Sequence, residues 1–459
     1  MSEAMRPGGL LRAWFCIAIG VAMPLPVLAQ QPEAASAGFA AWARDHVVSL
    51  PACASAVAPA AMDGIKAVVG DVRVVALGEP AHGAQEPLAF RNCLFRYLVE
   101  HDGFTAIAIE SGLSESRRLH DYAAGGPGDV RQLGRNGFTW GFGRFAENVA
   151  LLEWIRGYNA DPRRTRKINF YGIDLSGGES SGRWLNARVM LQDSLDYLSR
   201  AAPRRSRAAR QAVAPFLDRF THSGYVALPP AERVRQRAAI EGLIGYFGRN
   251  RTALVAASTR SDYDWARRNA LVARQLEQVF QVSPPPEPGD QLSPDFYKAD
   301  AARDAAMAEN VRWVVEREGA AGRVLVFAHD GHIMNAPTRG GIWTVYAQAP
   351  ATMGQHLRTA LGRDLLIMPI MSSENGPGLP AGTKGSGSLD SALAKVGSGH
   401  FLLDIRQARD AAPVAAWLAQ TQSIRANFTT EMEVTPRTAF DALIYFDRLT
   451  PASTVPAKP

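Results

Sequence analysis

Three cysteines in 459 residues exclude a fold built on disulfides. Long apolar runs are equally scarce. The longest, Ala13–Met23, is too short for a good membrane span and is followed at once by Pro24 and Pro26. Charge of one sign is also in short supply. The formal excess is only +6, and no dense basic stripe marks a nucleic-acid partner. Internal repeats are absent as well. What is present is 47% hydrophobic and 20% charged, an ordinary globular balance. The length suits roughly two or three domains, or one large domain with insertions. These features leave a core-forming enzyme or binding protein.

The N-terminus places Arg6 and Arg12 ahead of the apolar run and Val27-Leu28-Ala29 after it. Basic, apolar and small-residue segments in that order read as a secretory signal, residues 1–29, with a membrane anchor as the less favoured alternative. Cleavage after Ala29 leaves Cys53 and Cys93 as the last two cysteines. In an oxidising compartment they either pair or stay as buried thiols. The expected destination is periplasmic or secreted, with no membrane insertion of the mature chain.

Downstream, short β-branched apolar runs alternate with helical periodicity. Arg73–Leu77, Phe104–Ile109, Lys167–Ile173 and Val324–Phe327 are such runs, and Leu365–Met371, Phe401–Leu403 and Ala442–Phe446 are further strand candidates. This alternation predicts an α/β fold, a mostly parallel sheet flanked by helices on both faces. Between Arg183 and Gly319 the pattern is almost all helical, broken at Pro229-Pro230 and Ser283–Gln291. The expected organisation is a core in two parts, 30–182 and 321–450, around a helical insertion at 183–320. Gln30–Gly38 reads as a loose leader, Phe39–Leu50 as a helix, Gly376–Ser388 as a long loop and 451–459 as a disordered tail. The arginines at 200, 204, 205, 207 and 210 read as a solvated helix face.

Four apolar runs end in an ionisable residue: Glu79, Glu110, Asp174 and His329. Ligands of open α/β sheets bind outside the carboxyl ends of the strands, so these residues converge on one rim. The turn Leu77-Gly78-Glu79-Pro80-Ala81-His82-Gly83 displays a carboxylate and an imidazole three residues apart. An imidazole titrates near neutrality, and a nearby carboxylate can orient it as a base. Arg91 falls on the apolar stripe of Leu88, Leu94, Phe95 and Leu98, where a guanidinium needs a carboxylate, Glu79 or Glu110, or an anion. Ala328-His329-Asp330-Gly331-His332 adds two imidazoles. Trp140 and Phe142, in an aromatic loop, suit an apolar ligand.

Two competing chemistries are legible. Gly178-Glu179-Ser180-Ser181-Gly182 matches the G-x-S-x-G pattern, yet Leu175-Ser176-Gly177 separate it from its strand, unlike a nucleophile elbow. The Glu/His set could ligate a divalent metal, but no familiar zinc spacing appears, so no metal or cofactor is expected. The histidines at 46, 101, 120, 222 and 356 lie in helical stretches and read as structural.

At Val75–Gly83 with Arg91, Ile107–Glu110, Glu153-Trp154-Ile155-Arg156 with Asn159, and Phe170–Asp174, the sequence resembles the erythromycin esterase family. The resemblance continues through Arg303-Asp304 with Met307 to Asn310, Val326–His332, Met353-Gly354 with Leu357, and Phe440–Phe446. It implies an α/β core with helical insertions and hydrolysis of a macrolide lactone or other ester without a serine nucleophile. The site set it implies is Glu79, His82, Arg91, Glu110 and His329, with His82 as general base. Ala81 stands where the family usually has threonine, and Asp330 where it usually has asparagine. A metal-assisted hydrolase and a non-catalytic periplasmic binding protein are the alternatives.

Overall fold

In the computed structural model, the described residues are 31–455 except 52, 54–61, 179–186, 285–291, 381–387 and 428. The export segment and Ser180 therefore lie outside the described residues, as does much of Ser283–Gln291 and Gly376–Ser388.

Eleven strands are described: β1 (Val47–Ser49), β2 (Val74–Glu79), β3 (Ala106–Gly112), β4 (Asn169–Asp174), β5 (Val324–His329), β6 (Leu365–Met368), β7 (Ile370–Asn375), β8 (Phe401–Asp404), β9 (Gln422–Ala426), β10 (Thr430–Val434) and β11 (Ala442–Leu449). The main sheet is parallel, in the order β4-β3-β5-β2-β6. Ahead of their C-terminal ends its strands are mainly apolar, because successive side chains enter two different cores. Val74, Ala76, Ala106, Ala108, Val324 and Val326 face one core, which also takes Met190, Phe247, Trp265 and Met307 from the helical stretch. Val75, Leu77, Ile107, Ile109, Leu325 and Phe327 face the other, with Leu94, Phe95 and Leu152 from helices Gln85–His101 and Ala146–Ala160. Each fully buried Val or Leu on these strands contributes ~1.5–3 kcal/mol.

The helical stretch runs from helix Arg188–Ala201 to helix Tyr297–Glu318 and joins β4 to β5. Its longest member, Arg260–Val282, starts at Thr259, whose side chain accepts from the Asp262 N–H.

The predicted strand Leu365–Met371 is two strands, β6 and β7, separated by Pro369. Proline has no N–H to continue a ladder. The chain therefore leaves the first sheet there and enters a second, ordered β1-β8-β11-β7. The predicted helix Phe39–Leu50 is also different. The helix covers Gln31–Arg44 and takes in the supposed leader, while Val47–Ser49 pairs with β8. Alanine-rich composition favours helix in the leader, and the two valines favour strand after it. The β9–β10 hairpin was not among the strand candidates, although Thr430-Glu431-Met432-Glu433-Val434 alternates and buries Thr430, Met432 and Val434.

Cys53 and Cys93 form a disulfide, with Cα atoms 5.8 Å apart. The tail is not disordered over 451–455. Pro451 bridges to Ala84 and Thr454 to Phe145, so this segment adds an extended strip beside the His82 turn. Backbone groups left open by that turn supplied the pairing.

Candidate active site

Adjacent parallel strands end at the same rim, so β4, β3, β5 and β2 present Asp174, Glu110, His329 and Glu79 side by side. A cavity of about 390 Å³ opens above them. His82, Glu110, Arg303, His332, Trp140 and Phe142 are on its wall.

The β2 turn carries the most exposed of the three imidazoles at this rim. His82 Nδ1 lies 2.6 Å from Glu79 Oε1, and its side chain is 34% exposed against 5% for the glutamate. Gly83, at φ +86°, turns the chain away and lets the Phe145 ring approach closely. With Nδ1 bound, His82 presents Nε2 to the cavity, 4.0 Å from Glu110 Oε1. Burial opposes the imidazolium, but Glu110 and Glu79 outweigh it and raise the His82 pKa above its ordinary 6.5.

Glu110 sits where the β3–β4 register shifts between Ile109 and Gly112. Gly172 permits this shift, since a Cβ there would meet the carbonyls of Ser111 and Gly112 at 2.5 and 2.6 Å. The bulge leads into a carboxylate that serves several partners. Oε2 accepts the His329 N–H at 2.8 Å, while Oε1 meets Arg303 Nη2 at 2.9 Å and His332 Nε2 at 3.3 Å. Burial would raise its pKa, but His332, His82 and Arg303 hold it well below the carboxylate range.

Opposite His82 stands a second imidazole–carboxylate pair. His332 Nδ1 is 2.6 Å from Asp304 Oδ1. Burial works against the charge, yet Asp304 and Glu110 raise its pKa well above 6.5 and so favour the imidazolium form. Arg303 also binds Asp174 at 2.6 Å, and Asp174 accepts the Trp140 indole N–H at 2.8 Å. Trp140 adopts φ +58°, a left-handed conformation unusual for a bulky residue. The Asp174 hydrogen bond holds its ring on the wall with Arg303 stacked over it, 5.3 Å from the ring centroid.

His329 and Arg91 occupy different environments from His82. His329 Nδ1 accepts the Gly331 N–H at 3.0 Å, and Nε2 donates to the Pro80 carbonyl at 3.2 Å. Burial and the neighbouring His82 push its pKa down to about 3, so it is neutral and both ring nitrogens are engaged. Arg91 is fully buried behind the turn and is not on the wall of the main cavity. Its guanidinium donates to Asn92 Oδ1 and packs over the Phe327 ring, rather than pairing directly with Glu79 or Glu110. Burial pulls its pKa down to about 10.

Sequence reasoning underrated Arg303 and Asp304. The signal was available: Asp304 shares a helical stripe with Met307, Val311 and Val314, and a carboxylate there needs a partner. Met432 and Asn427, also on the cavity wall, come from the β9–β10 hairpin, which was not among the strand candidates. His120, one of the structural histidines, bonds the Phe170 carbonyl inside the core.

A sequence profile described as Erythromycin esterase matches residues 99–449. The chain belongs to the erythromycin esterase family. The match spans Glu110, Asp174, Arg303, Asp304, His329 and His332, while Glu79 and His82 lie just upstream of it. Erythromycin esterase type II of Escherichia coli is 25% identical over 312 residues, covering 67% of this chain and 71% of that protein. Erythromycin esterase type I of Escherichia coli is 25% identical over 309 residues, 64% and 68% of the two chains. Solved structures share the fold. A Bacillus cereus protein has TM-score 0.76 at 22% identity, covering 92% of this chain and 99% of its own. An erythromycin esterase mutant in its open conformation has TM-score 0.65 at 17% identity, covering 86% and 95%. Family membership supports a hydrolase of the macrolide esterase type with a small-molecule substrate. Among the described residues, no helix is long and apolar enough to cross a membrane, and no cluster of three or more His, Cys, Asp or Glu is arranged to hold a metal ion.

Proposed function

We propose that this protein hydrolyses a carboxylic ester, a macrolide lactone or a simpler ester, using a water molecule activated by His82. One observation carries the reading: His82 is held through Nδ1 by Glu79 and turns Nε2 into the cavity, facing the His332 imidazole across Glu110. Neutral His82 takes a proton from water as the oxygen attacks the ester carbonyl. The carbonyl becomes a tetrahedral oxyanion, stabilised by His332 Nε2–H and the Arg303 guanidinium, whose Nη1 lies 3.3 Å from that nitrogen. The His82 proton then passes to the departing alkoxide as the C–O bond breaks, giving an acid and an alcohol. Glu110 holds the two cationic groups in place. Trp140 and Phe142 offer apolar surface to the substrate.

No covalent intermediate, metal or organic cofactor enters this scheme. The test is turnover of macrolides and simple esters by mass spectrometry, with and without chelator. A gain of one water, lost by ~10²–10⁴-fold in His82→Ala and retained in Ser180→Ala, is the expected result. Retained activity in His82→Ala, or its loss in Ser180→Ala or in chelator, overturns it.

Export to an oxidising compartment is part of the same proposal. The Cys53–Cys93 disulfide suits such a compartment. N-terminal sequencing is expected to begin near Gln30; Met1 retained on membrane-bound protein refutes this.

A further inference from the structure

A second, much smaller cavity of about 10 Å³ lies beside the Glu79 carboxylate, bounded also by Leu88, Arg91, Phe142, Asn148 and Phe327. Its volume is roughly that occupied by one water. Among its almost wholly buried lining residues are Glu79 at 4%, Arg91 at 0% and Asn148 at 2% exposure. Each has one polar atom without a hydrogen-bond partner among the described residues, namely Glu79 Oε2, Arg91 Nη1 and Asn148 Oδ1. The other polar atoms of these side chains are engaged. Glu79 Oε1 meets His82, Arg91 Nε and Nη2 donate to Asn92 Oδ1, and Asn148 Nδ2 donates to the Phe142 carbonyl at 2.9 Å.

The unmet set is thus one cationic nitrogen, which carries two N–H groups, and two acceptor oxygens. One water gives each of the three atoms a partner, accepting from the guanidinium nitrogen and donating to both oxygens. A cation would be repelled by the guanidinium, and an anion by the carboxylate. Leaving three such atoms unpaired together would be costly, since buried polar groups are normally satisfied.

We infer that this cavity binds a single internal water that links Arg91 to Glu79 and Asn148, making Arg91 and Asn148 positioning residues for the His82–Glu79 pair. The functional part rests on His82 acting as the base. The water donates to Glu79 Oε2 and fixes the carboxylate plane, so Oε1 stays aimed at His82 Nδ1. Arg91 acts through the water rather than on substrate, which accounts for a guanidinium buried away from the main cavity.

A crystal structure of the unaltered protein at about 1.5 Å or better tests the site. One solvent peak with contacts of ~2.6–3.2 Å to the three atoms is expected. An empty cavity, or direct pairing of Arg91 with Glu79, overturns the inference. Positioning is read separately by ¹⁵N spectroscopy of His82, which distinguishes ring tautomers. The unaltered protein is expected to hold the Nδ1–H form, and Asn148→Leu and Arg91→Met mixed forms. Both variants should lose roughly tenfold in kcat with KM within about twofold. An unchanged tautomer in whichever variant folds refutes the positioning role. If the peak and tautomer change are found but no ester is hydrolysed, the water stands and the hydrolase reading falls.

Discussion

Replacing Glu79 with glutamine alters the charge behind His82 while leaving its shape nearly intact. The bond concerned spans 2.6 Å from His82 Nδ1 to Glu79 Oε1. A hydrogen bond to an ionised group contributes about 1.5–3 kcal/mol, against about 0.5–1.5 for a neutral one. The imidazole is 34% exposed, so solvent screening places the difference near the lower end, about 1 kcal/mol. At 1.36 kcal/mol per decade, kcat at high pH should fall roughly fivefold in Glu79→Gln. The pH dependence should change as well. His82 acts as a base only when neutral, so activity rises as pH climbs through its folded pKa, which lies above 6.5. Glu79 is one of two carboxylates holding that value up, and its removal moves the acid limb to lower pH. The loss should therefore be smaller at pH 6 than at pH 8.5. The assay is ester turnover across pH 5–9, with the thermal midpoint recorded alongside. An acid limb that stays put or moves upward in the folded variant refutes His82 as the titrating base.

Asp330 is 1% exposed, and burial raises its pKa well above 3.8. A carboxyl that prefers its proton in the fold loses stability as pH rises above the unfolded value. Asp330→Asn should therefore be more stable than the parent above about pH 4, with a gap that widens until the folded pKa is passed; denaturant titrations at pH 5 and pH 8 check this. Reducing the Cys53–Cys93 bond releases a cross-link between residues 40 apart, a loss of ~4 kcal/mol on the chain-entropy account, read as a lower denaturation midpoint in reductant. Ending the chain at Leu449 removes the pairing of Ala452 N–H with the Gly83 carbonyl and of Val455 N–H with that of Arg144. That truncation should lower kcat several-fold and speed hydrogen exchange at Gly83–Gln85, and unchanged exchange there would refute the bracing role.

The sheet was legible because its physics is local. A run such as Val74–Leu77 is apolar at every position, which suits a strand buried on both faces, and its terminal Glu79 stands out against that background. The same contrast marked Glu110, Asp174 and His329, and glycine on both sides of Glu79–His82 marked the turn. Local pattern could also place Arg91 on a buried stripe. It could not say which groups the guanidinium would meet: a carboxylate was expected nearby, and Glu79 does act on its charge, but its hydrogen bonds go to Asn92. Proline at 369 was visible, but its effect, moving the chain from one sheet to another, depends on a partner strand, β11, more than 70 residues later.

What only the tertiary structure decided is the electrostatics of the site. Arg303 reaches Glu110 and Asp174 across sequence separations of 193 and 129 residues. Its role therefore depends on how helix Tyr297–Glu318 lies over the sheet. His329 and His332, three residues apart, illustrate the point. The first uses both ring nitrogens on backbone groups in a buried setting that favours the neutral form, while the second lies between Asp304 and Glu110, which favour its charged form. Sequence determined that imidazoles and carboxylates would share one rim, since parallel strands end together. Which imidazole carries a proton was set by burial and by partners brought from distant parts of the chain, because desolvation and nearby charge act through space.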